Sequence, residues 1–208
     1  MLYIAIIAFL LTLIAIIAGL SYAYKNKKPP RVYFWLLLFA LIAGPYAAFK
    51  SHEKNFMLSA VPDAFHVTAI SYSEEESWGF GPGGNEAGIR VYPLPGQIAD
   101  EISQRGIEFF NNLPPNRDQR DREWRGRYET WSQTPISETT YWKAKGEMKG
   151  LNIYDFICRY GFCIGIDPKV VKEANDAVNS EGSYFAYGRI GLIVVSPSKR
   201  QVFYMYNG

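Results

Sequence analysis

The sequence predicts an α+β protein: an N-terminal two-helix transmembrane hairpin followed by one mixed domain with a mostly antiparallel sheet and about three helices. Three observations carry this. Met1–Tyr24 and Val32–Phe49 are two apolar runs without an acidic residue, each near the ~20 residues that cross a bilayer core. The short loop between them, Lys25 to Arg31, is basic. Everything after residue 50 mixes β-like and helical patterns in one stretch long enough for a single core.

The first run has no basic flank before it, and Leu20-Ser21-Tyr22-Ala23 is a loose cleavage match, so it reads as a retained span over about residues 2–24 rather than a signal peptide. The second span covers about 32–49. Its Gly44-Pro45 pair reads as a tolerated kink. Tyr22, Tyr24, Tyr33 and Trp35 sit where an aromatic belt belongs. Lys25, Lys27, Lys28 and Arg31 set the topology, because basic loops stay in the cytoplasm; Lys50 and Lys54 oppose them more weakly. The expectation is a multi-pass protein of a bacterial inner membrane, with its N-terminus and its C-terminal domain outside the cytoplasm. The lipid bilayer is its first partner. No ionisable side chain lies inside either span, which argues against an ion path. Gly19, Ala23, Ala40, Ala43, Gly44 and Ala47 allow close packing within the hairpin and would also admit a homo-oligomer.

Four of the 22 basic residues precede residue 50 and none of the 20 acidic ones does, which leaves the remainder at a net charge of −2. That balance gives no electrostatic reason for nucleic-acid binding. Aromatic residues make up 16% of the chain, which suits strands and contact surfaces.

Residues 50–63 read as a connector and 64–208 as the extracytoplasmic α+β domain. Phe65 to Tyr72 looks β-like. Ser73–Gly88 reads as a loop with an acidic cluster, Glu74, Glu75 and Glu76, and then a glycine-rich stretch. Ile89–Leu94 is a short strand. From Pro95, Ala99, Ile102, Phe109 and Phe110 fall on one helical face, and Leu113-Pro114-Pro115 stops it. Arg117–Arg127 alternates arginines with acids and reads as a solvated, self-paired segment, the alternative being a contact with lipid phosphates or an acidic partner. Tyr128–Lys145 reads as extended. Ile153–Tyr160 is a short amphipathic helix. Asp167-Pro168 opens another, with Asp as N-cap and Pro in the first turn. Tyr184–Val195 and Gln201–Tyr206 read as a hairpin whose apolar Ile190–Val195 strand is covered on both faces.

The candidate ligand- or partner-binding residues are Trp78, Phe80, Gly81, Gly83, Gly84, Asn85 and Glu86. Glycines there allow unusual backbone conformations, and successive N–H groups could cradle an anion. The stretch is no P-loop and no dinucleotide fingerprint, since no Lys-Ser or Lys-Thr follows it and a strand rather than a helix comes next. Cys158 and Cys163 are expected to form a disulfide if the domain lies in an oxidising compartment. Zinc is not expected, because only His52 and His66 could complete a ligand set and their spacing fits no finger. No catalytic signature is present. The chain therefore reads as a binding or accessory protein that presents its domain to a protein partner or envelope ligand, as an immunity protein or envelope-complex subunit does. It carries no cofactor and is more readily not an enzyme. The alternative is a membrane-anchored enzyme acting on a cell-wall or lipid substrate, with Glu86 or another loop carboxylate as general base; Glu86 with Asp155 or Asp167 could form a carboxylate pair, though a chain with 20 acids offers many such pairs.

Overall fold

The computed structural model describes residues 14, 16–22, 24–26, 31–78, 85–137, 142, 150–160 and 163–208. The chain divides into two compact units, Met1–Lys54 and Asn55–Gly208.

Residues 16–22 are helical, and helix α1 runs from Arg31 in the first unit to Leu58 in the second, with Pro45 inside it. The polar residues after Phe49 are helical as far as Leu58. A helix already nucleated extends at the cost of one residue's ordering per hydrogen bond, so Lys50–Leu58 continues it. Among the described residues no helix is long and apolar enough to cross a membrane, so the two-span hairpin rests on the sequence alone.

The second unit is mixed α+β around a six-stranded antiparallel sheet of order β1-β2-β6-β5-β4-β3. The strands are β1 (Tyr72–Trp78), β2 (Asn85–Pro93), β3 (Trp131–Gln133), β4 (Tyr184–Tyr187), β5 (Gly191–Ser196) and β6 (Gln201–Asn207). The helices are α2 (Gly96–Arg105), α3 (Ile107–Asn111), α4 (Gln119–Arg122), α5 (Ile153–Ile157) and α6 (Pro168–Asn179).

Both sheet faces are covered. Tyr92, Ile193, Val195, Val202 and Tyr204 point to one side, beneath Ile98 and Ile102 of α2 and Phe109 and Phe110 of α3. Ile89, Val91, Leu192, Val194, Phe203 and Met205 point to the other, beneath α5 and α6. All six residues of β5 are buried, as expected for a strand packed on both sides. Helix α6 begins as its sequence predicts, with the Asp167 carboxylate accepting from the Lys169 amide at 2.7 Å. Asn152 caps α5 in the same way, from Tyr154 at 3.1 Å.

Several segments depart from the sequence reading: Tyr184–Val195 is two strands, β4 and β5, and the stretch from Pro95 to Leu113 is two helices broken at Gly106. Ser73–Gly88 is not a loop: its ends are β1 and the start of β2, and only 79–84, outside the described residues, connect them. Phe65–Ile70 is not a strand, because Asp63–Phe65 form a 3-10 turn and His66 takes a left-handed conformation with φ 50°.

The arginine segment is also not merely self-paired. Asp63 accepts from the Arg122 guanidinium at 2.5 Å and from the Arg117 amide at 2.9 Å. Burial alone would raise the Asp63 carboxyl. The Arg117 amide and the Arg122 guanidinium together outweigh it and hold the pKa below its ordinary value. Asn116 donates to the Gly126 carbonyl at 2.8 Å, and Arg125 donates to the Ser59 hydroxyl at 3.0 Å. Gly126, at φ 68°, has room for no side chain, since a Cβ there would stand 2.7 Å from the Ser59 carbonyl oxygen.

Candidate functional site

Strand alternation and register bring five polar side chains to one face of the sheet. Ser77 pairs with Glu86, Glu75 with Gly88 and Ser73 with Arg90 across β1 and β2. Gly88 pairs with Tyr206 and Arg90 with Tyr204 across β2 and β6. Glu75, Glu86, Arg90, Tyr204 and Tyr206 therefore share the side that α2 and α3 cover further along.

Gly88 makes the arrangement possible. It lies between Glu75 and Tyr206, and its missing side chain leaves a notch across which the Tyr206 ring reaches β1. A Cβ at Gly88 would stand 2.4 Å from both the Cζ and the hydroxyl of Tyr206. Through that notch the Tyr206 hydroxyl donates to Glu75 Oε2. Arg90 donates to the same oxygen at 2.5 Å, and its guanidinium lies 4.9 Å from the Tyr206 ring centre. The Arg90 side chain is 8% exposed and that of Glu75 is 33% exposed, so the pair runs from the core to the surface. Arg90 Nε is buried and, among the described residues, has no partner. Tyr204 stacks on Tyr206 at 5.2 Å, and Tyr92 donates to the Met57 carbonyl at 2.8 Å.

The electrostatics follow from burial. Burial opposes the charge on Arg90, but the surrounding Tyr206, Tyr92 and Glu75 outweigh it and raise its pKa. Burial pushes the Tyr204 hydroxyl up to about 12 and that of Tyr206 further, so both stay protonated donors at any physiological pH. Glu86 is raised as well, by burial first and then by the nearby Glu75 carboxylate, with Arg90 opposing. Glu75 and Glu86 are diagonal neighbours on the sheet, about 7–8 Å apart in backbone position. Among the described residues the Glu86 carboxyl has no hydrogen-bond partner, although its backbone is fixed: the Gly208 amide donates to its carbonyl at 2.8 Å.

The raised Glu86 pKa makes a stability prediction. An acid held more tightly to its proton in the folded state contributes nothing at pH below both its folded and unfolded values. As pH rises past the ordinary glutamate range its charge begins to oppose folding. Glu86→Gln is therefore expected to stabilise the domain at pH 7 by up to about 0.5 kcal/mol, since the group is largely solvated. The gain should disappear in urea melts below pH 4. A destabilised variant at pH 7 would mean the carboxylate has a favourable partner.

The sequence-predicted residues divide as follows. The backbones of Trp78 and Asn85 pair at the end of the β1–β2 ladder, with Glu86 one step inward. Phe80, Gly81, Gly83 and Gly84 lie outside the described residues. Glu86 does not meet Asp155 or Asp167. Those sit on α5 and at the start of α6, across the sheet, and the carboxylate beside Glu86 is Glu75. Sequence reasoning missed Glu75, Arg90 and Tyr206. The available signal was a lone arginine in the otherwise apolar Ile89–Tyr92 run, since a buried guanidinium needs a counter-ion.

Cys158 and Cys163 stand at disulfide distance, with Cα atoms 4.6 Å apart. Next to them, at the Asn207 end of β6, an open groove of about 490 Å³ is lined by Phe156, Arg159, Tyr160, Tyr187 and Arg189. Of the topology residues, Lys25 is exposed and Arg31 opens α1, while Lys27 and Lys28 lie outside the described residues. Among the described residues no three His, Cys, Asp or Glu side chains gather as a metal site. No protein-family model, curated protein or solved structure matches the chain.

Proposed function

We propose that the chain is a membrane-anchored binding protein that presents the β1–β2 hairpin end of its domain, outside the cytoplasm, to a protein or envelope ligand. The observation that carries this is Glu86: a partly buried carboxyl at the base of the hairpin end, held in place by its backbone and left without a hydrogen-bond partner among the described residues. A group that costs stability where it stands is a group available to a partner's donor. The anchor is supported by α1, on which Val32, Trp35, Leu36, Phe39, Ile42 and Phe49 are exposed with no charged residue between them. The extracytoplasmic side is supported by the basic Lys25–Arg31 loop and by the cysteine pair.

Two experiments test it. Replacing 79–84 by an Asn-Gly turn, which closes a two-residue hairpin, is expected to abolish capture of envelope partners by cross-linking while the domain still melts cooperatively. Unchanged capture would show that the contact surface lies elsewhere. For topology, a membrane-impermeant maleimide on intact cells is expected to label Cys158 and Cys163 only after reduction. Labelling that needs lysis but no reductant would put the domain in the cytoplasm.

A second reading, an enzyme on a cell-wall or lipid substrate with Glu86 as general base, is favoured by the raised Glu86 carboxyl beside a second carboxylate. Under that reading Glu86→Gln keeps partner or substrate capture and loses turnover. Under the binding reading the same variant weakens capture itself.

A further inference from the structure

The open groove beside the cysteine pair is built from two separate parts of the fold. One wall is the end of α5: Arg159 and Tyr160 follow that helix directly, and the Cys158–Cys163 pair brackets them in a short loop. The other wall is the connection between β4 and β5. Tyr187 ends β4, and Arg189 stands in a turn that the Gly188 amide closes by donating to the Gly191 carbonyl at 2.7 Å. The buried Phe156 also lines the groove, and its carbonyl accepts from the Asn207 side chain, which ties α5 to β6.

Each wall thus supplies one guanidinium and one tyrosine ring. Arg159 and Arg189 are both exposed, and no carboxylate is among the described residues that line the groove; Asp155, one turn back on α5, is not one of them. Tyr160 is 63% exposed and Tyr187 39%. The Arg159 guanidinium lies 5.9 Å from the Tyr160 ring centre, and Tyr187 stands edge-on to Phe185 at 5.9 Å. Exposed rings gathered in a concavity with a few convergent polar groups are the composition of a ligand site rather than of a core.

We infer that this groove binds a small ligand that carries a phosphate monoester on a flat ring. Two guanidinium groups at one concavity, with no lining acid, favour an anion. A phosphate monoester carries a charge of about −1.5 to −2 at neutral pH and matches both of them, where a carboxylate's single charge leaves one over. Guanidinium nitrogens fit phosphate oxygens two at a time, and each group has several N–H donors, so a contact that Arg159 makes within the chain does not exhaust it. The two tyrosines offer apolar ring faces to the ligand's ring and hydroxyls to its remaining oxygens. The volume of about 490 Å³ lies within the range of small-molecule sites. A nucleic-acid strand would need basic charge continuing past the groove, whereas the chain after residue 49 is at −2. The inference stands apart from the membrane anchor and from the β1–β2 hairpin end, since all its residues belong to the Asn55–Gly208 unit and none to that hairpin.

The test titrates phenyl phosphate into the full chain in neutral detergent, read by calorimetry. Saturable binding is expected, about tenfold tighter than that of inorganic phosphate, which lacks the ring, or of benzoate, which carries one charge. Arg159→Gln and Arg189→Gln, both at exposed positions, should each weaken it at least about tenfold, as the loss of a charge-assisted hydrogen bond does. Arg120→Gln, exposed on another element, should leave it unchanged. Tyr160→Ala should bring phenyl phosphate down to the affinity of inorganic phosphate. Thermal melts that coincide with the parent's show that these losses come from the groove and not from unfolding. Adenosine monophosphate and phosphotyrosine carry the same two groups at different spacings, and the tighter of the two identifies the source of the ring. Absence of saturable binding at millimolar phenyl phosphate, equal affinity for inorganic phosphate or benzoate, or an affinity untouched by both arginine variants each overturns the inference.

Discussion

Glu75→Ala is expected to lower the stability of the domain by about 2–3 kcal/mol, a fall in Tm of roughly 5–10 °C for a unit of this size. The reason lies in Arg90 rather than in Glu75. The Arg90 side chain is 8% exposed, and it forms an ion pair with Glu75 Oε2 at 2.5 Å. Removing the carboxylate leaves a buried cation without its counter-ion, which costs about 3–5 kcal/mol when both groups are buried. Glu75 is one third exposed, so water takes over part of its role and the lower figure applies. The Tyr206 hydroxyl loses its acceptor in the same variant. A double-mutant cycle with Arg90→Met checks the assignment. The second substitution removes the stranded charge, so the pair should be less destabilised than the sum of the single variants by about 1–2 kcal/mol. Strict additivity in urea melts would show that the two residues do not act as a pair.

The same cluster shows how far the sequence carries. The buried β5 strand, the Asp167-Pro168 helix start and the Ile153 helix were legible because each is settled locally, by an apolar run or a cap. Strand β1 was not. Tyr72–Trp78 contains three successive glutamates, residues that strands disfavour, and it exists because β2 offers it a ladder of partners. Once β1 is read as a loop, Glu75 cannot be set beside Arg90, and the site loses its central carboxylate. Gly88 carried a similar ambiguity. In sequence it looked like the end of a glycine-rich turn, whereas its place in the sheet makes it the opening through which Tyr206 reaches Glu75. Helix α1 failed the opposite way. Its continuation past Phe49 opens on the polar stretch Lys50–Asn55, which gives no periodic signal, yet it continues a helix nucleated upstream.

Phe65→Ala should have the largest effect of any single truncation considered, about 4 kcal/mol. Phe65 is fully buried and lies 5.9 Å from Trp131, 6.0 Å from Phe110 and 6.2 Å from Phe109, ring centre to ring centre. Its ring neighbours are aromatic and pack on one another, with Phe110 stacked 4.4 Å from Trp131, so they relax little into the space. The consequence extends past stability. Phe65 closes the turn that begins at Asp63, so its burial is what holds Asp63 toward Arg122 and the Arg117 amide. In urea melts the variant should unfold about 4 kcal/mol more easily, and hydrogen exchange at the Arg117 amide should quicken more than at amides in β5. Phe56→Ala is the control. That ring is 46% exposed and its described contact is with Arg125, so it should cost no more than about 1 kcal/mol. If instead the two variants were equally destabilised, the arginine segment would owe its position to the end of α1 and not to the aromatic core.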